Sequence, residues 1–256
     1  MTHWIRFQHA GATGFGTIEN DRIAVHQGDM FGAPTATGEQ LALDQATPLT
    51  PTAAGKMLAL WNNFHALATK LDQEIPPEPL YFIKANSSYL GTGGVIRKPP
   101  SYDGKVVFEG ELGIVIGKTC RALSEADAGD HIFGYTCIND VTAVELIGKD
   151  ATFAQWTRAK SFDTFGVFGP VVTTGLDPST LSIRTVLNDQ ERQHYPVSDM
   201  IFGPARIVSL ISQDVTLDAG DVICCGTSVG VGSMKPGSTI EVSIDGIGTL
   251  SNRYES

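Results

Sequence analysis

A chain of 256 residues with 42% hydrophobic and 18% charged side chains can bury a sizeable core, which excludes a disordered protein. Its formal charge is −10 and its 18 Lys and Arg are scattered without a basic run, which argues against nucleic acid and anionic membrane surfaces as partners. No apolar run approaches the ~20 residues needed to span a bilayer. The opening residues 1–9 lack the apolar core of a secretory signal, so the cytoplasm is the expected location.

With 28 Gly and 13 Pro the chain is rich in turns, and a strand-rich fold is expected. Residues 1–48 alternate short apolar stretches with turn signals at Glu19-Asn20-Asp21 and Gln27-Gly28-Asp29, the pattern of a small antiparallel β module. The Thr/Pro/Ala-rich stretch 47–54 reads as a linker. Residues 56–72 carry apolar positions at helical spacing (Leu58, Trp61, Phe64, Leu67, Ala68, Leu71), but 56–61 equally suits a buried strand. Strand followed by short helix is preferred, with Asn62 or Asn63 as the cap.

Beyond Pro76-Pro77 most of the chain reads as β. Residues 106–116 form one long strand, and Ser124 with Asp127 opens a short helix running to about Ile132. Residues 184–187 and 192–195 flank a hairpin signal at 188–191. A helical segment at 207–211 and strands at 222–225, 240–244 and 248–250 close the chain. Without a βαβ alternation, a doubly wound nucleotide fold is disfavoured. The four cysteines, Cys120, Cys137, Cys224 and Cys225, form no C-x-x-C pair and read as reduced, partly buried thiols.

Four phrases could carry chemistry. On a strand Glu109 and Glu111 project from one face; two carboxylates held together repel, and a hard divalent cation would remove that cost. Asn139-Asp140 ends an apolar strand, where such a pair also serves as a turn or cap. Lys160 lies among aromatic residues and could either lie along the surface or stabilise an oxyanion. The glycine-rich run 226–232 lacks the Lys of a phosphate loop, but its backbone N–H groups and the Thr227 hydroxyl suit a carboxylate.

In their order and phrasing, FEGELGIVIGK, IFGYTCINDVTA, QWTRAKSFDTFGVFGP, VTLDAGDVICCGTSVGVG and EVSIDGIGTLSN resemble the fumarylacetoacetate hydrolase family. The resemblance covers roughly 56–252, with a weaker match of 1–48 to the small N-terminal domain of many members. It implies a mixed α/β, predominantly β fold: a small N-terminal β domain (1–50) and a β-roll, barrel-like metal-binding domain (51–256), usually in a homodimer. It also implies that Glu109, Glu111 and Asp140 bind Mg²⁺ or Mn²⁺, with Ca²⁺ as a further option, and an all-oxygen ligand set agrees with a hard cation.

The resemblance makes His65 and Lys160 the catalytic residues, Thr227 the contact to substrate carboxylate, and Asp163 a residue that orders local backbone. The implied activity is metal-dependent C–C hydrolysis of a small anionic 2-oxo acid, an acylpyruvate-like compound from aromatic catabolism, through an enolate. The alternative is the same enolate chemistry used for decarboxylation of an oxaloacetate-like acid or isomerisation of an unsaturated oxo-dioate; a non-catalytic oxo-acid-binding relative is a third reading. The chain departs from the family pattern where hydrolytic members carry the Glu that pairs with the histidine, since Ala68 stands there. Asp72, seven residues after His65, would share its helical face. Val144 and Ile147 replace a customary Arg and Gln.

Overall fold

The computed structural model describes all 256 residues. Residues 1–48 fold as an antiparallel meander of β1 (Thr2–His9), β2 (Ala12–Glu19), β3 (Arg22–Gln27) and β4 (Thr35–Ala42), with β5 (Thr47–Pro48) paired back onto β1. Then come β6 (Met57–Trp61), α1 (His65–Lys70), β7 (Leu80–Lys84), β8 (Tyr89–Leu90), β9 (Val95–Arg97), β10 (Val106–Phe108) and β11 (Gly110–Ile116). The middle of the chain supplies α2 (Glu125–Ala128), β12 (Ile132–Asp140), β13 (Thr142–Ala143), α3 (Trp156–Lys160) and β14 (Gly166–Thr174). The remainder is β15 (Ser182–Leu187), β16 (Gln190–Pro196), α4 (Pro204–Asp214), β17 (Val222–Cys224), β18 (Gly232–Ser233), β19 (Thr239–Ile244) and β20 (Gly248–Glu255).

The predominantly β character is as expected, and the strands form one long open sheet with two smaller ones against it. The long sheet runs β4-β3-β2-β1-β14-β12-β11-β17-β6-β7; β16-β15-β19-β20-β9 form a second sheet and β13-β10-β18 a third. Since β4 and β7 do not meet, the long sheet does not close into a barrel. Its middle strands are buried on both faces: β11 is buried at every position. Leu112, Ile114 and Ile116 enter the main core with Ile207, Val208 and Ile211 of α4. Val115 enters a smaller cluster on the other face with Met57, Ala59, Ile138, Phe168 and Cys224. This two-faced burial follows from strand alternation in a sheet covered on both sides.

Several sequence expectations need correction. The stretch 47–54 is not a free linker: Thr52 Oγ1 donates to the Gly220 carbonyl at 2.7 Å, and Pro51, Thr52 and Ala54 are buried. The strand-then-helix order in 56–72 holds, but neither Asn62 nor Asn63 caps α1. Phe64 occupies the cap position without a side-chain hydrogen bond, and Asp199 accepts the free Ala66 N–H at 3.0 Å. Asn63 instead turns inward. Residues 106–116 are two strands, interrupted at Glu109 where the chain changes partners from β13 to β12. The Ser124 start is as expected: its hydroxyl accepts the Asp127 N–H. All four cysteines are free and buried, and no helix is long and apolar enough to cross a membrane.

Candidate metal and substrate site

The break at Glu109 builds the site. Register places Gly110 opposite Asn139 and Glu111 opposite Ile138, so Asp140 at the end of β12 falls beside Glu109. Asn139 Oδ1 accepts the Glu109 N–H at 3.1 Å, and the Glu109 carbonyl accepts the Asp140 N–H at 2.9 Å. Thr142 Oγ1 then donates to Glu109 Oε1 at 2.8 Å. Carboxylate oxygens of Glu109, Glu111 and Asp140 come within 4.8 Å of one another, the arrangement the sequence predicts.

Their environments differ. Glu111 and Asp140 are fully buried, whereas the Glu109 side chain keeps 13% exposure and is the opening of the site. Glu111 Oε2 accepts the Gly226 N–H at 2.8 Å; its Oε1 is buried with no partner. Burial, then the neighbouring Asp140, push the Glu111 carboxyl well above the ordinary carboxylate range against the pull of Lys160. Burial also acts upward on Asp140, but Lys160 and Lys84 more than offset it and hold that carboxyl low.

Lys160 Nζ lies 2.8 Å from Glu109 Oε2 and 2.5 Å from Asp140 Oδ2. Burial opposes its charge, yet the three carboxylates, Asp140 foremost, hold it protonated and raise its pKa. The five-residue α3 is too short to be stable alone and is clamped by Trp156, which packs on Phe82 at 5.7 Å and on Trp61 at 5.0 Å. Phe82 also presents its ring 5.4 Å from Lys160 Nζ. A cleft of ≈ 670 Å³ borders this helix, walled by Tyr81, Phe82, Trp156, Arg158 and Phe162.

The other site residues are placed less simply. Thr227 is buried and its hydroxyl is engaged: it donates to the Gly110 carbonyl at 3.0 Å and accepts from Gln193 Nε2 at 2.9 Å. The Gly226 N–H, which the sequence offers to a substrate carboxylate, serves Glu111 instead. His65 is exposed at the start of α1 and makes no hydrogen bond to any carboxylate. Asp72 does not join it, because α1 ends at Lys70 and Asp72 sits in the left-handed region at φ 53°. Asp163 is exposed and does not hydrogen-bond the local backbone. Glu145, which follows Val144, accepts hydrogen bonds from the Tyr102 hydroxyl and the Lys105 N–H, away from the triad.

Three residues escape the sequence reading. Lys84 is fully buried and paired with Asp140 Oδ1. Its signal is a Lys at the end of the otherwise apolar LYFIK strand, a pattern that usually marks a surface strand end. Gln193 accepts the Gly110 N–H at 3.0 Å while donating to Thr227, and the Tyr195 hydroxyl donates to the Gly110 carbonyl. On β16 they read only as inward positions of a hairpin.

The donor set fits a hard divalent cation: all its ligand atoms are carboxylate oxygens, and one of them, Glu111 Oε1, is buried without a partner. Comparison with known proteins agrees. Residues 56–255 match the family model described as fumarylacetoacetate (FAA) hydrolase C-terminal, and residues 2–51 match the one described as Rv2993c-like, N-terminal. Protein Rv2993c of Mycobacterium tuberculosis is 41% identical over 87% of this chain and 83% of its own. Oxaloacetate tautomerase YisK of Bacillus subtilis is 34% identical over 79% of this chain and 70% of its own. The crystal structure of 2-hydroxyhepta-2,4-diene-1,7-dioate isomerase from Mycobacterium marinum superposes with a TM-score of 0.91 at 36% identity, covering 100% of this chain and 98% of that one. A match to the family model along nearly all of 56–255, with relatives above 30% identity over most of their length, places this chain in the fumarylacetoacetate hydrolase family.

Proposed function

We propose that this protein is a divalent-metal-dependent enzyme that acts on a small 2-oxo dicarboxylic acid through its enolate, tautomerising or decarboxylating an oxaloacetate-like compound. One observation carries this reading: the carboxylate triad and Lys160 are assembled, while α1 presents an exposed His65 with no carboxylate partner and a buried Ala68. A cation held by Glu109, Glu111 and Asp140 supplies positive charge where an enolate oxygen develops negative charge.

The chain's own residues supply the rest. Lys160 adds a second positive charge at the same place, held protonated by its carboxylate neighbours. Thr227 anchors a substrate carboxylate by turning its hydroxyl from the Gly110 carbonyl toward the ligand. Gln193 and Tyr195 hold the backbone of Gly110, and therefore the angle between Glu109 and Glu111, during the exchange. In decarboxylation the bond to the leaving carboxylate breaks, its electron pair flows into the 2-oxo group, CO₂ departs, and the enolate takes a proton from water. Tautomerisation passes through the enolate of the intact acid: the enol oxygen gives up its proton, C3 takes one, and no C–C bond breaks. Neither needs an activated water. The similarity to an enzyme named as an oxaloacetate tautomerase supports this choice.

Hydrolysis of an acylpyruvate is the second reading, favoured by the retained His65 of the family's histidine phrase. It asks His65 to activate water without the partner that hydrolytic members supply. Purified protein with Mg²⁺ or Mn²⁺, assayed against oxaloacetate, oxo-dioates and acylpyruvates, tests both. Enol-to-keto conversion or CO₂ release from oxaloacetate, unaffected by His65→Ala, is the expected result. Cleavage of acylpyruvates that disappears in His65→Ala would overturn it in favour of hydrolysis.

A further inference from the structure

Lys84 is the one fully buried lysine, and the metal site as read from the sequence has no use for it. It ends β7, its side chain has no exposure, and its ion-pair partner is Asp140 Oδ1. Burying an ammonium–carboxylate pair is seldom how a fold gains stability; an apolar side chain of the same length usually serves as well or better. Lys84 differs from Lys160 in what it touches. Lys160 reaches both Glu109 and Asp140, whereas Lys84 reaches Asp140 alone.

The charge count gives Lys84 a task. With all three carboxylates ionised, as a bound cation requires, they outnumber the two ammoniums by one negative charge. A divalent cation converts that into one excess positive charge. Were position 84 neutral, the loaded site would also be neutral, inside a protein whose formal charge is −10. An anionic ligand entering such a site would lose its hydration without gaining a net attraction.

We infer that Lys84 is a positioning residue whose fixed charge, set behind Asp140, makes the metal-loaded site attractive to a doubly anionic 2-oxo acid or enolate. This rests on the proposed 2-oxo acid chemistry and adds that the charge at position 84 acts on the organic anion and not on metal retention. The sign distinguishes the two: removing a positive charge beside the ligands favours the cation and disfavours the anion.

The test measures two affinities on the full-length protein by calorimetry: Mn²⁺ for the protein, and oxalate, a stable planar dianion resembling an enolate of a 2-oxo acid, for the Mn²⁺-saturated protein. In Lys84→Met, Mn²⁺ affinity is expected to hold or rise while oxalate affinity falls by about tenfold or more. Lys84→Gln, which keeps a hydrogen-bond donor toward Asp140 but no charge, should behave as Lys84→Met does, and Lys84→Arg should retain oxalate. Should Lys84→Met fold poorly, Lys84→Gln and Lys84→Arg still separate charge from packing. Unchanged oxalate affinity in Lys84→Gln, or loss of Mn²⁺ binding in both neutral variants, would overturn the inference and leave Lys84 a structural partner of Asp140. A wild-type protein that binds Mn²⁺ but no oxalate would instead remove the 2-oxo acid reading on which it stands.

Discussion

If the triad holds the proposed cation, Glu111 is the residue at which its binding and protonation should be coupled. It is wholly buried, one oxygen receives the Gly226 N–H, and the other has no partner. Burial first and Asp140 second raise its pKa in the folded, metal-free protein. The folded state therefore holds this proton more tightly than the unfolded chain does. Stability of the metal-free protein should accordingly fall as pH rises from about 4.3, the free glutamate value, toward the folded value. A cation requires the carboxylate form, so its binding expels the proton and its stabilising effect grows as pH rises. The increase in Tm produced by Mg²⁺ or Mn²⁺ should be small near pH ~5 and large near pH ~8. Glu111→Gln should abolish most of the metal-induced increase at every pH. A metal effect that is flat across this range in the wild type would show that Glu111 is not a ligand.

The elements around the site are joined by side chains that replace ordinary backbone pairing, and Asn63 is the clearest case. At the turn between β6 and α1 it donates to the carbonyls of Cys225 at 2.8 Å and Phe202 at 3.3 Å, and accepts the Phe202 N–H at 2.9 Å. It ties the helix carrying His65 to the loop whose Gly226 holds Glu111. Asn63→Ala would leave three buried backbone groups unpaired, at a cost of about 2–4 kcal/mol in unfolding free energy. Urea unfolding should show this as a lower midpoint with an unchanged slope; a midpoint within error of wild type would contradict it. The same residue marks the limit of what the sequence discloses. The apolar run ending at Trp61 makes the strand legible, and the following polar pair makes the turn legible. What Asn63 bonds to lies 139 and 162 residues away, beyond any local rule, so a local cap was the natural expectation. Glu109 likewise reads as the middle of one strand because alternation cannot reveal a change of partner. Lys84 is not legible in the sequence because burial of its ammonium depends on Asp140, 56 residues further on.

On the scale of the whole molecule, composition and ordered phrases made the β-rich fold and the carboxylate triad readable, but not how the N-terminal meander is attached. The stretch 47–54 has a linker's composition, and a linker would let 1–50 move independently. Its contacts point the other way. β1 continues the long sheet by pairing with β14, with Thr2 opposite Thr174 and Trp4 opposite Val172. His3 Nδ1 bonds Thr173 Oγ1 at 2.9 Å, and Trp4 packs against Phe133 at 5.9 Å. Arg6 Nη1 donates to the Thr50 carbonyl at 2.8 Å, and Thr52 is fixed to Gly220. Proteases cut where several residues can leave the surface together. Residues 148–154 meet that condition, being exposed throughout and outside any helix or strand. Limited digestion of the folded protein with a broad-specificity protease should therefore cut first within 148–154 and leave 47–54 intact until the whole molecule unfolds. Early accumulation of a fragment of roughly 50 residues from the N-terminus would mean that the meander detaches on its own, and that the β1–β14 pairing is weaker than these contacts imply.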